Sequence, residues 1–323
     1  MKQDIALDFQ KHIVTNFKEY LDVVKSLKSK EENLWFRGQD NASFQLVPSA
    51  LRNCYEIKDQ FDRDIKPQKL TEYNNKGNQV AYINVHSMLQ EFKLIAKQHL
   101  RIEPTNNLEW HFIAQHYGIP TKLLDWSTDS LVALFFAIQK NREGLLQDNI
   151  ENAIEDFRCN SYSDKGASVF VVNPGELNKV IAGYTKGGTE EPIDFTLNSA
   201  IYNEQIEKGF LDGSNQLLPC CITSTPIDKR ICRQSGNFTI HGSFVWPIDH
   251  IDQAKKIIHK IFIPYNCIEE MKEMLYALDV TENSLYGHSD LDSYSKDISN
   301  KNQEKLRLAV NELKIKYNQQ MIK

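Results

Sequence analysis

The chain has no run of 18 consecutive apolar residues, so the sequence predicts no membrane-spanning helix. Its opening stretch, MKQDIALDFQKHIV, lacks the apolar core of a signal peptide, and the expected location is the cytoplasm. Basic charge is not in excess: 38 Lys and Arg stand against 43 Asp and Glu, for a formal net charge of −5 and a pI near 6.0. That balance argues against broad electrostatic attachment to nucleic acid or to an anionic membrane. Six cysteines, at 54, 159, 220, 221, 232 and 267, form no C-x-x-C pair and no Cys/His spacing of zinc type. They read as small buried hydrophobes, and no metal site is expected. The chain also lacks a Walker loop, G-x-G-x-x-G, H-E-x-x-H and G-x-S-x-G, which removes most nucleotide hydrolases, zincins and α/β-hydrolases. There is no internal repeat and no low-complexity tract.

What is present is an ordinary globular composition, 41% hydrophobic and 25% charged over 323 residues. Periodicity predicts a helix over 12–27, with Ile13, Phe17, Tyr20, Leu21, Val24 and Leu27 on one face, and a strand over Leu34 to Gly38. Helices follow over 87–100 and 108–118, the second closed by Gly118 with Pro120 two residues on. Strand-like runs occupy 168–172, 238–242 and 260–264, with polar, irregular stretches over 141–165 and 183–220. Near the end, 267–278 reads as an amphipathic helix and 281–285 as a turn capped by Thr281. A charged helix carries Leu306, Val310, Leu313 and Tyr317 on one face. Strands interleaved irregularly with helices predict an α+β fold, a central mixed or antiparallel sheet surrounded by helices. Residues 15–298 read as one domain with polar insertions near 53–85 and 183–220, followed by a C-terminal helix over 299–323.

The most informative stretch is WHFIAQHYGIPTKLLDWSTDSLVALFFAI, Trp110 to Ile138. It reads as a polar loop, LLDWSTDS, between two largely apolar helices, the second hydrophobic around nearly its whole circumference and therefore buried. Loops pinned between buried elements commonly hold functional groups. Asp125 beside Trp126 needs a partner, because a carboxylate among apolar neighbours is costly to bury. Arg37 or Lys122 would serve, and an Arg37–Asp125 pair could equally be a purely structural clamp. Ser127 or Thr128 is expected to cap the buried helix. His116, at a helix C-terminus, suits both the helix dipole and acid–base or ligand-orienting work.

In LWFRGQD, Arg37 stands near a strand end, where its planar fork could grip a phosphate or carboxylate with two parallel hydrogen bonds. Gly38 would let a ligand or another backbone come close. In RQSGNFTIHG, Gln234 precedes a Ser-Gly turn from which its amide could reach a ligand. Asn237, Thr239 and His241 alternate with Phe238 and Ile240, a polar face that more commonly meets solvent.

LWFRGQ, QHYGIPTKLLDWSTDSLVALFFA, RQSGNF and ENSLYGHSDLDSYSKDI, in this order, resemble the FRG-domain family, named for the Phe-Arg-Gly that stands here as Phe36-Arg37-Gly38. The resemblance implies a bacterial or phage-associated effector module, with a conceivable role in phage defence. A more distant resemblance is to ADP-ribosyltransferase folds: a strand Arg-Gly, a Ser/Thr motif opening an Ala-x-x-Phe-Ala helix, and a late Gln or Glu. That resemblance implies NAD as ligand. Arg37 would hold it through ribose or phosphate, Ser127 and Thr128 would brace the pocket, and Tyr117 or Trp126 would stack on nicotinamide. Gln234 would stand where a carboxylate bonds the ribose hydroxyl. A neutral amide cannot supply the anionic charge used there, and Asp125 is the group that could compensate.

Three functional readings follow. One is an NAD-consuming transferase or glycohydrolase, with Arg37, Asp125 and Gln234 as its working residues and Gly38, His116, Tyr117, Trp126, Ser127 and Thr128 lining the ligand. Another is a non-catalytic module for a nucleotide or a nucleic-acid end. The third is a structural or interaction protein. The first of these has one requirement: Arg37, Asp125 and Gln234 must face a common cavity. No membrane partner is expected, and a nucleic-acid or protein target stays open.

Overall fold

The computed structural model describes residues 8–52, 55–56, 71–73, 79–100, 102–140, 149–182, 191–194, 219–242, 246–287, 289 and 291–320. Among the described residues the strands are β1 (Gln10–Ile13), β2 (Trp35–Gln39), β3 (Tyr55–Glu56), β4 (Thr71–Tyr73), β5 (Gln79–Ala81), β6 (Leu123–Ser127), β7 (Gly166–Val172), β8 (Cys220–Ile222), β9 (Gly236–Ile240) and β10 (His259–Pro264). The helices are α1 (Phe17–Lys28), α2 (Val85–Ala96), α3 (Asn107–His116), α4 (Ser130–Ile138), α5 (Ile150–Cys159), α6 (Pro174–Ala182), α7 (Lys229–Arg233), α8 (Asp252–Ile257), α9 (Ile268–Ala277), α10 (Glu282–Leu285) and α11 (Leu291–Gln320).

Seven strands form one mixed sheet in the order β1-β10-β7-β2-β6-β9-β8. Only β1 and β10 pair in parallel; the other neighbours are antiparallel. β7 reads GASVFVV and is buried at every position, as a strand covered on both faces should be. On one face, Phe36, Val169, Val171, Ile261 and Ile263 pack against α1, α4 and α9. On the other, Trp35, Leu124, Trp126, Phe170 and Val172 pack against α6 and α8. A third cluster joins α2, α3 and α11 through Met88, Phe92, Ile113, Leu306 and Val310. Each such side chain, removed from water, contributes about 1.5–3 kcal/mol.

Local chemistry sets several boundaries. Asn16 accepts from the Glu19 amide and starts α1, so 12–16 is not helical as the periodicity predicted; Gln10–Ile13 is instead an edge strand beside β10. Leu21, placed on the apolar face by that pattern, is 40% exposed. Asn106 caps α3 by accepting from the Glu109 amide, and Gly118, at φ +85°, ends it in a left-handed turn that a side chain would strain. α11 begins at Leu291 rather than at 299, with Leu291 and Ile298 in the helical core. The polar stretch over 141–165 contains α5. Much of 53–85 and of 183–220 lies outside the described residues; within the first, β3, β5 and β4 form a small antiparallel sheet. Cys221 and Cys267 are buried as expected, whereas Cys159 and Cys232 are exposed.

On β10, Lys260 is fully buried against the faces of Phe9, Tyr162 and Phe170. Its ammonium group donates to the carbonyls of Ala42 and Ser161, each at 2.6 Å. Desolvation pushes its pKa down from 10.5 to about 7, against the pull of Asp249 and Asp8. Between those values the unfolded chain binds the proton that the folded chain has shed, so stability rises with pH through this window and is lost as pH falls through about 7. Denaturant titrations from pH 7 to 9 should therefore show a steeper rise for the parent than for Lys260→Met. The difference should approach 1.4 kcal/mol per pH unit. Equal slopes would mean that Lys260 keeps its proton.

Candidate functional site

β2 and β6 are neighbours in the middle of the sheet, yet their ladder contains one residue pair, Phe36 with Ser127. Beyond that pair the strands part, and a cavity of about 670 Å3 opens along them. Arg37 spans the parting. Its Nη1 donates to the Asp125 carbonyl at 2.8 Å and lies 3.5 Å from the Asp125 carboxylate. A strand carbonyl without a ladder partner on the β2 side thus receives a side-chain donor instead.

The Asp125 carboxylate is held from the other side. Thr121 Oγ1 donates to Gln115 Oε1 at 2.6 Å, and Gln115 Nε2 donates to Asp125 Oδ2 at 2.8 Å. Arg37 is largely buried, with 10% of its side chain exposed, whereas the Asp125 side chain is 43% exposed. Desolvation lowers the Arg37 pKa to about 10, so it stays cationic at neutral pH. Its Nε has no hydrogen-bond partner among the described residues.

Gln234 reaches the same cavity by a clamp of two contacts. Ser127 Oγ donates to the Gln234 carbonyl at 2.7 Å, and the Thr128 amide donates to the Ser235 carbonyl at 3.1 Å. Ser235 adopts φ +46°, turning the chain back into β9. The side chain is buried, Nε2 donates to the Leu285 carbonyl at 3.4 Å, and the amide acts electrostatically on the His116 ring. Burial holds His116 below the ordinary histidine pKa, opposed by Asp125 and Asp228, so its ring is neutral at physiological pH. Among the described residues His116 Nε2 and Gln39 Oε1, like Arg37 Nε, are buried without a hydrogen-bond partner, and all three residues line the cavity.

Thus Arg37, Gly38, His116, Asp125, Trp126, Ser127 and Gln234 meet at one hollow, while Tyr117 and Thr128 are not among its lining. Several have roles different from those the sequence suggested. LLDWS is a strand, not a loop, with Leu124 and Trp126 turned to the core. The cap of α4 is Asp129, whose carboxylate accepts from the Leu131 and Val132 amides, not Ser127 or Thr128. Lys122 is drawn away from Asp125, donating to the Gly242 carbonyl and lying over Tyr82. The Trp126 indole is committed to packing, with Nε1 donating to Thr239 Oγ1 at 3.2 Å. Thr239 and His241, expected at a solvated face, are fully buried. Gly38 serves a protein contact: a Cβ there would lie 1.9 Å from the Ala133 carbonyl oxygen of α4.

Tyr117 stacks instead on the Arg230 guanidinium, 4.5 Å away. Arg230 donates two 2.6 Å bonds to Asp292, one to the Tyr286 carbonyl at 2.7 Å, and one to the His116 carbonyl at 3.1 Å. It ties α3, the α10 turn and α11 behind the cavity. The aromatic wall is formed by Phe136 and Tyr286, edge to face at 5.8 Å. Sequence reading passed over Gln115 and Tyr286, although both fall inside the quoted motifs. Arg52 and Phe44, which also border the cavity, follow no pattern at all.

Residues 32–144 match the family model of the FRG domain. No curated protein and no solved structure matches the chain. The FRG segment contributes β2, α3, β6 and α4, hence Arg37, His116 and Asp125. Gln234 and Tyr286 come from beyond it. Among the described residues no group of three or more His, Cys, Asp or Glu could hold a metal ion, and no helix is long and apolar enough to cross a membrane.

Proposed function

We propose that the cavity binds a nucleotide, with NAD the foremost candidate, and that the protein is an NAD-consuming ADP-ribosyltransferase or glycohydrolase on a fold of ADP-ribosyltransferase type. The observation that carries this reading is the meeting of Arg37 and Asp125 at the parting of two central strands. The hollow, about 670 Å3, is of the size that small-molecule sites commonly have. In this reading Arg37 takes a phosphate, and Phe136 and Tyr286 offer aromatic faces to a flat ring. Asp125, held by Gln115, supplies the negative charge that favours positive charge developing on the ribose as nicotinamide leaves. Gln234 sets the His116 ring rather than contacting the sugar.

The neutral, buried Gln234, whose amide donates to the Leu285 carbonyl, favours a second reading, a nucleotide-binding module without turnover. Purified protein with NAD separates the two. An upward thermal shift with nicotinamide release supports the enzyme; a shift without release supports the module. No shift and no release, with NAD in large excess, would remove both.

A further inference from the structure

The short 3-10 turn Ser49–Leu51 is tied to the residues leading into β6: the Ala50 amide donates to the Thr121 carbonyl at 3.1 Å, and the Thr121 amide donates to Ser49 Oγ at 3.2 Å. The next residue, Arg52, is thereby brought to the rim of the same cavity. Its side chain makes one hydrogen bond among the described residues, a long one from Nε to the Val47 carbonyl at 3.4 Å. Among the described residues it forms no ion pair, although Asp125 and Asp40 act on it electrostatically. Lys140 already neutralises Asp40 at 2.7 Å.

Two guanidinium groups in the lining of one cavity thus act on one carboxylate, Asp125, and the two repel each other. That leaves one positive charge in excess at a partly desolvated site, an arrangement stabilised by an anion placed between them. Each planar fork can take one phosphate group with two parallel bonds. We propose that Arg52 is a second anion-binding residue and that Arg37 and Arg52 together grip a diphosphate, so the ligand class is a nucleoside diphosphate rather than a monophosphate. This rests on the nucleotide reading for the base and ribose, but the grip on the diphosphate itself does not.

Calorimetric titration of the full chain with ADP, AMP, adenosine and inorganic pyrophosphate tests it, using the parent and Arg52→Gln. Arg52 lies at an exposed rim, so the variant should fold, which its melting curve checks. The parent should bind ADP at least about tenfold more tightly than AMP, and Arg52→Gln should lose that margin while keeping its affinity for AMP. A parent that fails to separate ADP from AMP, or a variant that binds ADP as the parent does, overturns the diphosphate grip even if NAD binds. Pyrophosphate binding that depends on Arg52, without binding of any nucleotide, would uphold the grip and sink the nucleotide reading. Absence of both ADP and pyrophosphate binding overturns the proposal.

Discussion

Gly38→Ala should be the most damaging single-methyl change at this site. The added Cβ would sit 1.9 Å from the Ala133 carbonyl oxygen and 2.6 Å from the Ala137 amide nitrogen. Both are backbone atoms of α4, so no side-chain rotation relieves the clash. The helix would have to retreat from β2 by about an ångström to restore ordinary contact. Retreat is resisted, because Leu134, Ala137 and Ile138 are buried in the cluster shared by α1, α9 and the sheet. The expected loss is about 3 kcal/mol or more, at the upper end for overpacking, with a melting temperature lower by roughly 4–7 °C. Differential scanning calorimetry of the purified variant measures it. A variant melting within a degree of the parent would mean that strand and helix do not approach this closely.

Arg37→Ala should have the opposite signature, a small effect on stability and a large one on ligand. Removing one member of a deeply buried ion pair typically costs 3–5 kcal/mol, roughly, because the survivor is stranded. Here the survivor is Asp125, whose side chain is 43% exposed and still receives the Gln115 amide. The stability loss should therefore be nearer about 1–2 kcal/mol, from the bond to the Asp125 carbonyl and the packing of the Arg stem. Affinity for ADP should fall by about a hundredfold, the value of a pair of charge-assisted hydrogen bonds. Arg37→Lys, which keeps the charge but not the fork, should lie between. If Arg37→Ala instead fails to fold, the Arg37–Asp125 contact is a structural clamp. If it folds and binds ADP like the parent, Arg37 has no part in recognition.

Those two residues stand side by side, and the sequence ranked them together for function. Only one faces a ligand in the proposed reading. Glycine's permissiveness is visible in any sequence, but what comes close to it is not. The approach of α4 to Gly38 joins segments about a hundred residues apart. The same limit explains LLDWS: its Ser, Thr and Asp suggested a capping loop, whereas pairing with β9 along five residues made it a strand. The distant resemblance to ADP-ribosyltransferase folds implies Tyr117 as a stacking aromatic, one residue after His116. At the end of a helix, successive side chains diverge by about 100°, and Tyr117 turns to Arg230 while His116 turns to the cavity.

Local rules, by contrast, carried far. Gly118 after the apolar helix, Thr281 before α10 and the buried apolar runs of β7 and β10 all stand where side-chain period and capping chemistry put them. The α+β class with a central sheet, and the candidacy of Arg37, Asp125 and Gln234, follow from such local patterns in the amino-acid order. What tertiary structure alone decided is the parting of β2 from β6 after a single pair, the burial of the Gln234 amide against the Leu285 carbonyl, and the arrival of Arg52 and Tyr286 at the cavity. The physical reason is reach: caps and periodicities are settled within a turn or two of chain. Convergence depends on how the sheet and its helices pack, which no short window of residues contains.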